Sequence, residues 1–229
     1  MTTNLILLIL TISSFSAFMV CQSAVPGMNL FDVIQSRNRH PVIYAITLRN
    51  LYSFLITSIP VMLSLYLDYF FSSYRIPSAG NKAAAVFTVS LICLGIMIGI
   101  RSARKITAYW GQKVPVRLHR FPIAAYLLSR ILFIVSYELY FRGFLLWYCL
   151  QFMNLTVAIL VNIIFYLIAH YRCNQQVLLG CIPMGLLLCL ANYMANSILP
   201  AILIHLALTL SYEFIIARKA TLHLKPYSL

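Results

Sequence analysis

A polytopic bundle of about seven transmembrane α-helices is the fold class this sequence predicts, and three observations predict it. Of 229 residues, 62% are hydrophobic and only 9% charged, more apolar surface than a soluble domain of this size can bury. Apolar runs recur along the whole chain, most of them near the roughly 20 residues a helix needs to cross a bilayer. Lys and Arg number 17 against 4 Asp and Glu, a formal charge of +13. That excess is expected of loops facing anionic cytoplasmic headgroups.

The runs fall at Leu5–Val20, Leu51–Phe71, Ala83–Ile100, Phe121–Leu150, Leu155–His170, Val177–Met194 and Ile198–Ala217. Backbone polar groups in lipid must be satisfied internally, so each run predicts a helix. The first has the length of a signal peptide. Met1–Asn4 carries no Lys or Arg, however, and a retained span is expected. Pro77-Ser78-Ala79-Gly80 marks a loop. Phe121–Leu150 decides the topology. Read as one span, it puts the N-terminus outside and the C-terminus in the cytoplasm. Arg37, Arg39, Arg49, Arg101, Arg104, Lys105, Lys113, Arg117, Arg120, Arg172, Arg218, Lys219 and Lys225 then face inside, with Arg75 and Lys82 outside. The whole chain reads as one integral membrane domain. Residues 121–217 form its chemical core, and 1–120 supply accessory helices and basic loops.

The basic charge does not point to nucleic acid, because no segment is long enough to fold into a soluble basic face. Membrane lipids are the expected partners. The six cysteines sit mostly inside apolar runs with no CxxC pair, as small packing residues rather than a disulfide frame or zinc site.

Within the apolar runs four polar groups stand out. Glu138 and Arg142 are four residues apart, so they share a helix face and can pair. Such a pair can simply pin one helix to its neighbours. His170 shares a stripe with Asn162 and Tyr166, and taken alone it reads as a helix-end histidine bonded to solvent or backbone. His205 sits mid-span, with Thr209 one turn later; a single intramembrane histidine often only bonds a neighbouring helix. If Arg130 snorkels to the cytoplasmic interface, Glu138 lies roughly 12 Å and His205 roughly 18 Å from it. The polar groups then converge on the cytoplasmic half. One carboxylate and two imidazoles suit general-base activation of water. Glu138, His170 and His205 could instead hold a divalent metal such as zinc, although no HExxH supports that locally. Asp68 and Glu213 lie nearer span ends and read as interfacial.

The segment Tyr137-Glu138-Leu139-Tyr140-Phe141-Arg142-Gly143 resembles the first motif of the CPBP family of intramembrane endopeptidases, which includes CAAX prenyl proteases and bacteriocin-processing or immunity (Abi) proteins. Tyr166 and His170 resemble its second motif, an aromatic four residues before a His, and His205 with Thr209 resemble its last. Gly180-Cys181-Ile182-Pro183-Met184-Gly185 and Ser197-Ile198-Leu199-Pro200 also resemble the family, so the likeness spans about Ile131–Thr209. It implies that Glu138 and His170 activate water, that His205 and Thr209 stabilise the oxyanion, and that Arg142 completes the first motif. The reaction would be endoproteolysis of a membrane-associated peptide or protein in the bacterial cytoplasmic membrane. This sequence departs from the pattern twice: Tyr137 stands where the first glutamate is usual, and Thr209 where an Asn or Asp is usual. Either Glu138 serves as the base, or the chain is an inactive relative acting as a membrane scaffold, peptide-binding or immunity protein. A small transporter is a third reading, with no repeat to support it.

Overall fold

The computed structural model describes residues 2–25, 29–35, 39–66, 82–109 and 120–222, and every element in them is helical. In chain order they are α1 (Thr2–Ala24), α2 (Leu30–Gln35), α3 (Arg39–Tyr66), α4 (Lys82–Tyr109), α5 (Arg120–Glu138), a π-helical turn (Leu139–Leu145), α6 (Leu146–Leu150), α7 (Leu155–Ala169), α8 (Gln175–Ala195) and α9 (Leu199–Leu222). Six helices are long and apolar enough to cross a membrane, with Phe121–Leu150 counting as one. The seventh expected span, α7, has 15 residues. That is about 22 Å of rise, short of the roughly 30 Å hydrocarbon core. Asparagines fix where α7 and α8 start: Asn154 Oδ1 accepts from Val157 N and Asn174 Oδ1 from Val177 N.

Helix α3 begins well before the apolar run expected from Leu51. Arg49, expected in a loop, is therefore inside a helix and buried, donating from Nη1 to the Val25 carbonyl at 3.4 Å. Helix α4 likewise continues past Ile100, carrying Arg101, Arg104 and Lys105 on exposed turns. Glu213, near the end of α9, is fully buried, accepting from the Tyr126 hydroxyl at 2.7 Å and from Leu30 N at 3.2 Å. Asp68, the Pro77–Gly80 loop, Arg37, Arg75, Lys113, Arg117 and Lys225 lie outside the described residues.

Two parallel helix pairs set the frame. Along α3 and α5, Asn50 Nδ2 donates to Ser129 Oγ at 3.3 Å and Thr57 Oγ1 to Ser136 Oγ at 2.9 Å. Both bonds join residues 79 apart in sequence, so the helices run in the same direction with their small polar residues in a seven-residue register. Along α4 and α9, Gly95 lies against Ile204 and Leu208, and Gly99 against Leu208, Ser211 and Tyr212. This too is a parallel contact, and its closeness depends on the missing side chains.

Because α4 and α9 run parallel, Arg101, Arg104 and Lys105 share one end of the bundle with Arg218 and Lys219, all exposed. Arg172, in the α7–α8 turn, donates to the Ser23 carbonyl at the end of α1 (2.8 Å). At the opposite end, Lys82 is the one charged side chain among the described residues. The charge asymmetry expected from the sequence is therefore present in three dimensions.

Candidate active site

Glu138 is the last residue of α5 and Arg142 lies within the π-helical turn. Phe18, Phe133, Tyr137 and Phe141 pack in contact around this stretch, and both charged residues are 0% exposed. Arg142 Nη1 donates to Glu138 Oε1 at 3.2 Å, and the Arg142 guanidinium carbon lies 4.2 Å over the Tyr166 ring. Breaking such a buried pair on one side strands a charge, at a cost of about 3–5 kcal/mol. The π turn leaves Leu146 N–H shared between the Gly143 and Phe141 carbonyls. The Phe141 carbonyl also accepts from Asn162 Nδ2 of α7 at 2.5 Å. Single π turns inside α-helices recur at functional sites. Gly185 of α8 faces Arg142 Nη2, Ile163 and Tyr166, and a Cβ there would lie 3.3 Å from Ile163.

Helix α9 brings His205. Its start is set by α8: Asn196 takes a left-handed conformation (φ 47°), Ser197 N donates to the Asn192 carbonyl at 3.1 Å, and Asn192 Oδ1 accepts from Ala201 N at 2.9 Å. The Gly95–Gly99 contact then fixes how near α9 comes. His205 Nδ1 meets Glu138 Oε1 at 2.5 Å. A carboxylate can only accept, so Nδ1 carries the proton and Nε2 is left with a lone pair. The His205 side chain is 13% exposed and Glu138 0%, so the imidazole is the member of this pair that water reaches.

His170 caps the C-terminal end of α7 and bonds the backbone there, the helix-end arrangement read for it when taken alone. Its Nδ1 meets the Tyr166 carbonyl at 2.9 Å, not Glu138. A carbonyl also only accepts, so His170 too presents Nε2 as an acceptor. Tyr137 packs near both imidazoles. Its ring is edge-on to His170 at 6.2 Å and to His205 at 6.1 Å, and it packs on Phe141 at 4.4 Å. Thr209 is half-buried, one turn beyond His205, and makes no hydrogen bond to Glu138, His170 or His205 among the described residues.

The metal reading does not fit. Among the described residues no group of three His, Cys, Asp or Glu side chains could hold a metal ion. Glu138 Oε1 is shared by Arg142 and His205, and the Tyr137 ring lies edge-on to both imidazoles. All six cysteines are free thiols.

Two positioning features went unread in the sequence. One is the Gly95-x-x-x-Gly99 spacing, a small-residue signal visible in α4. The other is the seven-residue repeat Asn50, Thr57, Ser64 facing Ser129 and Ser136.

Residues 119–211 match the family model described as Type II CAAX prenyl endopeptidase Rce1-like. The matched stretch contains Glu138, Arg142, His170, His205 and Thr209. No curated protein and no solved structure matches the chain.

Proposed function

We propose that this chain, whose residues 119–211 belong to the CAAX-protease-like (CPBP) family, is an intramembrane endopeptidase in which a Glu138–His205 dyad activates water. The observation that carries the proposal is the bond from His205 Nδ1 to Glu138 Oε1 at 2.5 Å, on two helices 67 residues apart in sequence. Glu138 fixes the tautomer and orientation of the ring, and Arg142 pairs with the same Glu138 oxygen at 3.2 Å. His205 Nε2 takes a proton from water as its oxygen attacks the scissile carbonyl. The imidazolium is stabilised by Glu138 and returns the proton to the leaving amine as the C–N bond breaks. His170 Nε2 accepts a hydrogen bond from the water or from a substrate N–H. The site sits in an apolar bundle, so the substrate is a membrane-associated peptide or protein. The basic end of the bundle is the cytoplasmic end by the positive-inside rule.

The test is cleavage of quenched-fluorescence peptides with an apolar membrane-adjacent segment, by purified protein and by Glu138→Gln and His205→Ala. Each variant is expected to lose about 10²–10⁴-fold in kcat, the usual contribution of a positioned general base. Equal turnover by all three sinks the dyad. Absence of turnover by the wild type favours the inactive-relative reading, which the Tyr137 substitution at the first motif position also accommodates.

A further inference from the structure

Tyr137 is 2% exposed, and its hydroxyl has no hydrogen-bond partner among the described residues. Its ring is packed against Phe18, Phe133, Phe141 and Tyr166, surroundings that a phenylalanine would fill equally well. Burying a hydroxyl with nothing to bond costs stability and gains no packing. The other orphaned polar atoms nearby are Glu138 Oε2 and Arg142 Nε and Nη2, on fully buried side chains. None of these atoms has a hydrogen-bond partner among the described residues.

The developing oxyanion requires a donor. Both imidazoles present Nε2 as acceptors in the resting tautomers, because each Nδ1 is committed to an oxygen. Thr209 makes no bond into the site among the described residues. Arg142 pairs with Glu138 through Nη1, lies over the Tyr166 face and has Nη2 beside Gly185 of α8. The Tyr137 phenol, edge-on to both histidines, is the neutral donor beside the dyad.

We infer that Tyr137 is a catalytic residue whose hydroxyl donates to the scissile carbonyl oxygen. The inference rests on the endopeptidase reading above. When water adds to the carbonyl carbon, the C=O π pair moves onto oxygen and the Tyr137 O–H···O contact strengthens. The proton stays on the phenol, and when the pair returns the C–N bond breaks with the amine protonated from His205. The substitution at the first motif position thus replaces a proton acceptor with a donor.

The experiment compares wild type, Tyr137→Phe and Glu138→Gln on the same quenched-fluorescence peptides, with thermal unfolding in detergent alongside. Tyr137→Phe is expected to lose about 10²–10³-fold in kcat, the cost of one oxyanion donor, with KM within about threefold of wild type. Its Tm is expected to equal or exceed that of wild type, since the hydroxyl bonds none of the described residues. A Tyr137→Phe kcat equal to wild type while Glu138→Gln is inactive overturns the inference and leaves the dyad standing. A lower Tm for Tyr137→Phe shows a bond within the protein and also overturns it, whether or not a peptide is cleaved. No cleavage by the wild type overturns the endopeptidase reading and this inference with it.

Discussion

Gly99 is far from any reacting atom, yet substituting it should disable the site. An added Cβ would lie 2.1 Å from Ser211 Oγ and 2.5 Å from the Leu208 carbonyl oxygen. The serine hydroxyl can rotate away. The Leu208 carbonyl is helix backbone and can retreat only if α9 moves. Reaching an ordinary contact of 3.4 Å from 2.5 Å requires a displacement of about 0.9 Å. His205 lies one turn before Leu208 on the same rigid helix, so its ring would be displaced by up to about 0.9 Å, and a shift along the Glu138–His205 contact would take it from 2.5 Å to about 3.4 Å. That is beyond good hydrogen-bond length, and a misplacement near 1 Å can cost roughly 100-fold in rate. Overpacking of this kind also costs about 1–3 kcal/mol, or roughly 2–12 °C in Tm for a chain of this size.

Gly95→Ala supplies the control. A Cβ there would lie 3.4 Å from the Ile204 carbonyl oxygen and 3.5 Å from Leu208 Cβ, which are ordinary contacts. Relief of the glycine helix penalty, about 1 kcal/mol, should leave this variant at or above wild-type stability. The assay is Tm in detergent together with kcat on the cleaved peptide. Gly99→Ala should fall in both, and Gly95→Ala in neither. Equal behaviour of the two variants would refute the claim that the α4–α9 approach sets the dyad distance.

Two further outcomes follow from the same geometry. Asn162→Ala removes the bond to the Phe141 carbonyl (2.5 Å) that ties α7 to the π turn, and should destabilise by about 0.6–1.7 kcal/mol, read as a lower Tm. An unchanged Tm would mean that the π turn needs no support from α7. A strong divalent-metal chelator should leave the hydrolysis rate unchanged, because no three-donor group is assembled among the described residues. A rate lost to chelator and restored by zinc would refute that donor geometry.

The helices were legible because lipid imposes a composition on them: each of the six long spans overlaps an apolar run. Their full lengths were not. The first turns of α3 and the last turns of α4 carry polar and basic residues at the interface, and composition does not distinguish such turns from loops. The burial of Arg49 and Glu213 was hidden for the same reason, since burial depends on partners distant in sequence; Tyr126 is 87 residues from Glu213. The Glu138–Arg142 pairing was legible from spacing alone. The π turn around it was not, because a separation of four residues does not reveal how the backbone bonds between them. The choice of His205 over His170 as the partner of Glu138 was equally hidden. It depends on α8 fixing the start of α9 and on two glycines setting its approach.

Adjacent residues on a helix point about 100° apart, so moving a carboxylate by one position would ordinarily remove it from a site. Here it does not, because one imidazole lies between the two directions. His205 is edge-on to the Tyr137 ring at 6.1 Å and bonded to Glu138 at 2.5 Å. Positions 137 and 138 therefore flank the same ring, and no rotation of α5 is needed for the carboxylate at 138 to reach it. Position 137 is then free to carry a group of different chemistry. A second carboxylate there would add a like charge beside Glu138, in a bundle where Arg142 is the cation already paired to it. A phenol adds none, packs near both histidines, and leaves a single buried negative charge matched by a single buried positive one. The substitution that breaks the sequence motif is thus compatible with the charge balance of the site, which is the condition any hydrolytic function here must satisfy.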